Sequence, residues 1–164
     1  MAATGREICS SLMLQQLLYY NLFWSAAWII AVGVRVHIKY GKGFTLVDPD
    51  IARTVLCIFW MLAEPVRLAA GWYGNLQENV PWLVIFAVLT LVPQTAVCYY
   101  LMLAAYDLKP FDQVLQVAMA AIIHLELFVT VYAILHMFRA QRKQNYLFEY
   151  ALQQQHRYGG SQQL

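Results

Sequence analysis

Four long apolar runs, separated by short polar connections, constrain the fold of this sequence more than any other feature. They cover about residues 17–36, 51–70, 82–103 and 114–138. About 20 apolar residues in a helix cross the hydrocarbon core of a bilayer, so each run is long enough to span it. Only 12% of the residues are charged, against about 25% in a typical soluble domain. We therefore predict an all-α membrane protein, a four-transmembrane-helix bundle with short loops.

Polar segments flank the predicted membrane domain, which covers residues 12–138. Residues 1–11 form a short N-terminal tail, in which Ser11 is suited to cap the first helix. Residues 139–164 form a polar C-terminal tail. Apolar side chains recur there at helical spacing, at Tyr146, Leu147, Tyr150 and Ala151. We predict that this tail is partly helical and lies on the membrane surface or on a partner.

Two charges lie inside the second apolar run. A charge near the centre of a membrane helix costs roughly 2.5–3.5 kcal/mol on insertion scales, so a partner is expected. Glu64 and Arg67 are three residues apart and can meet on one helix. Pro65 between them removes a backbone donor, which frees the carbonyl of Met61 and predicts a kink.

Other polar residues are expected at the same depth. Glu126 lies about as far into the fourth run as Glu64 lies into the second. Asn21 lies near that level in the first run. We predict a polar cluster of Glu64, Arg67, Glu126 and Asn21. Arg67 can bind only one carboxylate in bidentate fashion. If both glutamates lie near it, we expect one of them to carry a proton, because burial disfavours the charged form of a carboxyl group.

Two interpretations of the cluster follow. The favoured one is a structural clamp that sets helix register and recruits partner helices. An ion or proton path needs a chain of groups across the whole membrane, and the half of the second run around Cys57 holds no other ionisable residue inside the membrane. The alternative is a small ion or proton channel or transporter that uses Glu64, Arg67, His124 and Glu126. His124 is either a lone core histidine or a partner of Glu126 on a neighbouring helix.

The connection between the second and third runs predicts a tight hairpin tip. Gly71 is expected to end the helix in a left-handed conformation. Gly74 and Asn75 form a turn signal, and Leu76 is expected to pack back against the edge of the bundle. A short rigid tip of this kind is a candidate interaction turn, because little loop entropy is lost when it binds a neighbour.

Further signals predict how the third helix begins and bends. Asn79 is a candidate cap, with Pro81 in the first helical turn. Pro93 interrupts the same run and predicts a bend, with Gln94 and Thr95 near the freed backbone groups.

The hairpin sequence resembles a known family. The pattern E-x-x-R-L-x-x-G-x-x-G-N-L-x-E, followed by V-P, is similar to the small four-span proteins that include transmembrane protein 17 and its relatives numbered 216 and 80. The matching residues are Glu64, Arg67, Leu68, Gly71, Gly74, Asn75 and Leu76. The branch of transmembrane protein 17 is favoured by Gln77, Glu78, Val80 and Pro81.

This resemblance implies a location and a function. It implies a non-enzymatic structural subunit of the ciliary transition zone, in the Meckel syndrome module, that supports ciliogenesis and controls which membrane proteins enter the cilium. Implied partners are tectonics, related four-span proteins and soluble proteins of that module. The expected Lys and Arg counts on the two sides of the membrane are equal, so the positive-inside rule does not choose an orientation. The resemblance implies that both termini are cytosolic.

Enzyme, cofactor and metal sites have no signature here. The sequence has no H-E-x-x-H, G-x-S-x-G or P-loop pattern. Cys9, Cys57 and Cys98 form no C-x-x-C pair, and we expect Cys57 and Cys98 to be small core residues. We predict no catalytic, cofactor-binding or metal site. The basic residues are scattered, so nucleic acid is not an expected partner.

Overall fold

The part of the chain that the structure describes contains four helices and no strand. The computed structural model describes residues 9–41, 51–103 and 110–159. The helices are α1 (Leu12–Tyr40), α2 (Ile51–Leu76), α3 (Val80–Leu103) and α4 (Pro110–Gly159). All four are long and apolar enough to cross a membrane. The predicted all-α fold class with four spans is therefore confirmed.

The helix starts follow the predicted capping chemistry in part. Ser11 caps α1, where its hydroxyl accepts a hydrogen bond from the amide of Leu14 at 3.3 Å. Asn79 precedes α3 with an extended backbone and Pro81 lies in the first turn, but the Asn79 side chain makes no capping hydrogen bond. Helices α1 and α3 thus begin where the sequence predicts.

The end of α2 differs from the prediction. Gly71 does not end the helix, which continues through it to Leu76. The chain then reverses over residues 77–79, where Glu78 has a positive φ of 53°. The predictions that Gly71 ends the helix in a left-handed conformation and that Gly74 and Asn75 form the turn are therefore wrong. All three residues lie within α2, and the residue with positive φ is Glu78.

Helix α4 extends well past the bundle. Gln141 donates from Nε2 to the backbone carbonyl of Glu78 at 3.0 Å, so it lies level with the tip of the α2–α3 hairpin. The helix then continues to Gly159, about 27 Å further at 1.5 Å per residue. All side chains described from 141 to 155 are exposed. The predicted helical tail is therefore a direct continuation of the fourth span.

The interior has three layers along the bundle axis. One apolar cluster lies towards the hairpin tip and includes Leu18, Leu68 and Phe86. A second lies at the opposite end around Trp28 and Trp60, whose ring centroids are 4.0 Å apart. Between them in all four helices lie buried polar residues: Asn21, Ser25, Glu64, Arg67, Thr90, Gln94, Glu126 and Thr130. We call this set the polar layer.

The outer faces are apolar. Large side chains such as Leu62, Val66 and Phe128 are exposed on them. This arrangement suits lipid rather than water, since soluble monomers rarely expose large apolar surfaces. Cys57 and Cys98 are buried in the second apolar cluster, which confirms the prediction that they are core residues.

Candidate functional site

Arg67 lies at the centre of the polar layer. Its side chain is 0% exposed, and it donates from Nε to Glu64 Oε2 at 2.9 Å and from Nη2 to Glu64 Oε1 at 2.7 Å. Its Nη1 donates to Glu126 Oε2 at 2.8 Å. One guanidinium therefore binds both carboxylates, Glu64 in bidentate fashion and Glu126 through one oxygen.

Helix α3 supplies the remaining contacts of the guanidinium. Arg67 Nη1 also donates to Thr90 Oγ1 at 3.2 Å, and the Thr90 hydroxyl donates to the carbonyl of Phe86 at 2.7 Å. The guanidinium carbon lies 5.1 Å from the centre of the Phe86 ring, within the range of a cation–π interaction. Arg67 thereby joins α2 to both α3 and α4.

Helix α1 enters the layer through two polar side chains one turn apart. Asn21 Nδ2 lies 2.8 Å from Glu126 Oε1. The hydroxyl of Ser25 lies 2.7 Å from Glu64 Oε1 and 3.1 Å from Asn21 Oδ1. The structure thus brings together all four residues of the predicted cluster, Asn21, Glu64, Arg67 and Glu126.

Gln94 reaches the layer from a π-helical turn, Thr90–Gln94, which contains Pro93. Because proline has no N–H, the ladder widens, and the amide of Thr95 donates to the carbonyl of Thr90 five residues back. The buried Gln94 side chain then donates from Nε2 to Glu64 Oε2 at 2.6 Å. The distortion predicted at Pro93 therefore takes the form of a wide turn that directs Gln94 inwards.

Sequence reasoning missed four members of the layer: Ser25, Thr90, Gln94 and Thr130. These side chains carry no charge, so the energetic cost of burying a charge in lipid did not identify them. Ser25 follows Asn21 by one helical turn, and Gln94 follows a proline that disrupts the helix. These two positions were the sequence signals that could have identified Ser25 and Gln94 as members of the layer, because a polar residue one turn from a known polar site shares its face of the helix.

His124 lies outside the layer. Its ring is exposed on the outer face, with Nε2 3.2 Å from the hydroxyl of Tyr99 and Nδ1 2.6 Å from the carbonyl of Ala120. Both predictions for His124, a lone core histidine and a partner of Glu126, are wrong. The residue lies two positions from Glu126, and that offset turns it by about 200° around a helix of 3.6 residues per turn.

Asn75 fastens the hairpin tip to the start of α1. Its side chain is buried; Oδ1 accepts from the amide of Ser11 at 2.9 Å. Its Nδ2 lies 2.9 Å from both the carbonyl of Ser11 and Gln15 Oε1. The amide of Cys9 donates to Glu78 Oε1 at 2.6 Å. Asn75 therefore holds the hairpin tip against the start of α1 and is not part of the outer surface of the predicted interaction turn.

The two glycines of the motif allow helices to approach closely. A Cβ at Gly71 would lie 2.9 Å from side-chain atoms of Leu18 and Phe86. A Cβ at Gly74 would lie 2.7 Å from the backbone nitrogen of Leu83. Real Cβ atoms essentially never come this close, so both positions require the absence of a side chain.

The side chain of Leu76 does not pack as predicted. It is 58% exposed and does not pack back against the bundle, because α2 continues to this residue and turns its side chain outwards. An exposed apolar side chain at the hairpin tip is available for contact with a neighbour.

The polar layer joins helices rather than presenting reactive groups. Its side chains form hydrogen bonds with one another across all four helices, and the apolar clusters cover both of its sides. In the described ranges, no three His, Cys, Asp or Glu side chains are grouped so as to hold a metal ion. The arrangement can fix helix register and rotation.

Comparison with known proteins relates this chain to one family of membrane proteins. The family model Transmemb_17, described as a predicted membrane protein, matches residues 16–123. Transmembrane protein 17B of Xenopus tropicalis is 31% identical over 154 residues, which is 92% of this chain and 66% of the relative. Transmembrane protein 17 of Rattus norvegicus is 36% identical over 104 residues, and that of Homo sapiens is 34% identical over 99 residues.

These alignments cover 62% and 58% of this chain. The chain spans about half to two thirds of the length of these relatives, at 66%, 50% and 48%. No solved structure matches it. The family match covers more than half of the chain, and the motif residues Glu64, Arg67, Gly71, Gly74 and Asn75 have definite roles in its packing. The chain belongs to the transmembrane protein 17 family.

Proposed function

We propose that this protein is a non-enzymatic structural membrane subunit of the ciliary transition zone. In this role it supports ciliogenesis and the control of ciliary membrane protein content. Its partners are tectonics, related four-span proteins and soluble members of the Meckel syndrome module. The proposal rests on family membership together with one structural observation: the strongest polar groups are directed inwards and bind one another.

The polar layer supports a structural role. Arg67 binds two carboxylates, a hydroxyl and an aromatic ring, so its charge is used to hold helices. Interhelical hydrogen bonds and close packing drive association in lipid, where apolar helix faces gain little by meeting one another. A bundle fixed in this way offers neighbours a rigid outer surface.

Two outer features provide sites for partners. The hairpin tip exposes Leu76, the last residue of α2. Asn75 holds this end of the helix in place, so little entropy is lost on binding. Helix α4 extends beyond the tip and exposes Tyr146, Phe148 and Tyr150. The proposal places both termini in the cytosol, so that these features face soluble members of the assembly.

Localisation in ciliated cells tests this proposal. A tagged full-length chain should form a ring at the base of the cilium, and proximity labelling from it should mark other transition zone proteins. Leu76→Asp should disperse the ring while the protein stays in membranes. Gln77→Asp is the matched control, because it adds the same charge to an exposed neighbour without removing an apolar contact. Uniform staining of the plasma membrane or endoplasmic reticulum by the unaltered chain would refute the assignment.

The channel or transporter alternative remains the competing function, since three ionisable side chains are buried at mid-membrane depth. The position of His124 on the outer face removes one of the four groups that this alternative requires. The aromatic cluster around Trp28 and Trp60 covers the layer on one side. Ion or proton flux in vesicles containing the purified chain, abolished by Glu126→Gln, would favour transport over the structural role.

A further inference from the structure

The hydroxyl of Ser25 lies between two hydrogen-bond acceptors. It lies 2.7 Å from Glu64 Oε1 and 3.1 Å from Asn21 Oδ1. A serine hydroxyl has one hydrogen and can donate to only one of them. Ser25 therefore donates its hydrogen in the shorter contact, to Glu64, whose carboxylate also binds Arg67. Asn21 Oδ1 would then face the Ser25 oxygen with no hydrogen between them.

A half-turn of the Asn21 amide resolves this conflict. The turn exchanges the oxygen and nitrogen of the amide without moving the heavy-atom positions appreciably. Asn21 then donates from Nδ2 to Ser25, and Ser25 donates to Glu64. The amide oxygen of Asn21 now lies against Glu126 Oε1, at the 2.8 Å separation of that contact. Two oxygens at this distance need a hydrogen between them, and Glu126 must supply it.

The charge balance of the layer leads to the same assignment. It contains one guanidinium and two carboxyl groups, all of them buried. Glu64 accepts two hydrogen bonds from Arg67, one from Gln94 and one from Ser25. Glu126 has two contacts, with Arg67 and Asn21. Four donors stabilise a carboxylate anion far better than two, so Glu64 is the ionised partner of Arg67.

We propose that Glu126 is a neutral carboxylic acid and that its proton lies between Oε1 and Asn21. The polar layer then contains one cation, one anion and one bound proton, and its net charge is zero. The hydrogen bonds run in one direction from Glu126 through Asn21 and Ser25 to Glu64. Each of these contacts has one hydrogen, and α1 is joined to both α2 and α4.

The surroundings of Glu126 agree with this assignment. The groups that bind it from other helices are Asn21 of α1 and Arg67 of α2. Thr90 of α3 binds the same guanidinium, and Thr130 of α4 donates to the backbone carbonyl of Glu126 rather than to its side chain. Arg67 is the one cation that contacts Glu126 among the described residues, and Glu64 already neutralises it. The inference depends on this geometry and holds whether or not the protein acts at the cilium.

The two glutamates should therefore respond differently to the same substitution. Glu126→Gln replaces a neutral acid with a neutral amide that can donate to Asn21 and accept from Arg67. Glu64→Gln removes the anion that neutralises Arg67. Glu149→Gln is the matched control for loss of a carboxylate, because Glu149 is exposed on the extension of α4.

The full chain in phosphatidylcholine nanodiscs at pH 7 would be studied by infrared spectroscopy and thermal unfolding. The unaltered chain should show the carbonyl stretch of a protonated carboxylic acid, which Glu126→Gln removes and Glu149→Gln retains. Glu126→Gln should change Tm by no more than about 3 °C, whereas Glu64→Gln should lower Tm by about 8 °C or more.

Three results would overturn the assignment. The first is the absence of the acid band from the unaltered chain. The second is an acid band that Glu126→Gln leaves unchanged. The third is failure of Glu126→Gln to fold, or a loss of Tm as large as that caused by Glu64→Gln, since a neutral Glu126 tolerates a neutral replacement.

Discussion

Removal of the guanidinium at the centre of the polar layer should destabilise the bundle more than any other single change in it. Arg67→Met keeps an unbranched side chain but eliminates three contacts to carboxylates and one to Thr90. The carboxylate of Glu64 would then be buried without a cation. Loss of one partner from a buried ion pair costs about 3–5 kcal/mol. The stability of a whole domain is about 5–15 kcal/mol, so this loss is a large fraction of it.

The matched double variant separates loss of charge pairing from loss of packing. In Arg67→Met combined with Glu64→Gln, no charge is left unpaired, and replacing a buried ion pair by neutral groups is often close to neutral in stability. The double variant should therefore be more stable than Arg67→Met alone. Val66→Met controls for a methionine on the exposed face of the same helix and should change stability by less than about 0.5 kcal/mol.

Thermal unfolding in nanodiscs can be followed by tryptophan fluorescence. Trp28 and Trp60 are buried in the apolar cluster next to the layer and report its opening. Arg67→Met should lower Tm by about 6–20 °C, at about 2–4 °C per kcal/mol for a chain of this size. A double variant less stable than the single variant would refute the reasoning, because it would show that the charge on Glu64 remains favourable without Arg67.

Three further predictions concern the hairpin and the topology. Gly74→Ala should lower the free energy of unfolding by about 1–3 kcal/mol, measured by urea or thermal unfolding, because the new Cβ overpacks the helix contact. Gly33→Ala is the control: no atom lies within 4 Å of its new Cβ, so it should not destabilise the protein. Equal losses of stability in the two variants would contradict the argument that Gly74 allows close approach. Asn75→Ala should increase proteolysis near the N-terminus, because it releases the start of α1; unchanged cleavage would exclude a fastening role. Glycosylation acceptors inserted after Lys42 and Lys109 should be modified, and modification of acceptors at either terminus would contradict cytosolic termini.

The sequence predicts depth in the membrane better than rotation about a helix axis. Hydropathy located the four spans because crossing a bilayer requires a long apolar run. The pair Glu64 and Arg67 follows from its spacing on one helix, and Glu126 follows from counting residues into the fourth span. Counting does not fix the direction of a side chain, so His124, at nearly the same depth, was placed inside although it faces outwards. Lipid-facing and core-facing residues are both apolar here, which removes the contrast that orients a helix in a soluble protein.

The two motif glycines, Gly71 and Gly74, show a second feature that the sequence alone does not predict. Glycine serves both to end helices and to let helices approach closely, and a single sequence does not distinguish these uses. The structure assigns Gly71 to close approach, because Leu18 and Phe86 occupy the space of its missing side chain. The hairpin reverses at Glu78 instead, a non-glycine residue with positive φ, which residue type alone would not predict.

The position of the polar layer explains how an apolar bundle acquires a single register. Helices in lipid can slide or rotate with little change in apolar contact, since lipid chains are as apolar as the helix faces that they cover. A shift of α4 by one residue would move Glu126 by about 1.5 Å along the axis and 100° around it. That movement would break its contacts with Arg67 and Asn21 and leave polar groups unsatisfied in hydrocarbon, at a cost of several kcal/mol each. The layer therefore selects one arrangement of the four helices, and this fixed arrangement gives the outer surface a constant shape.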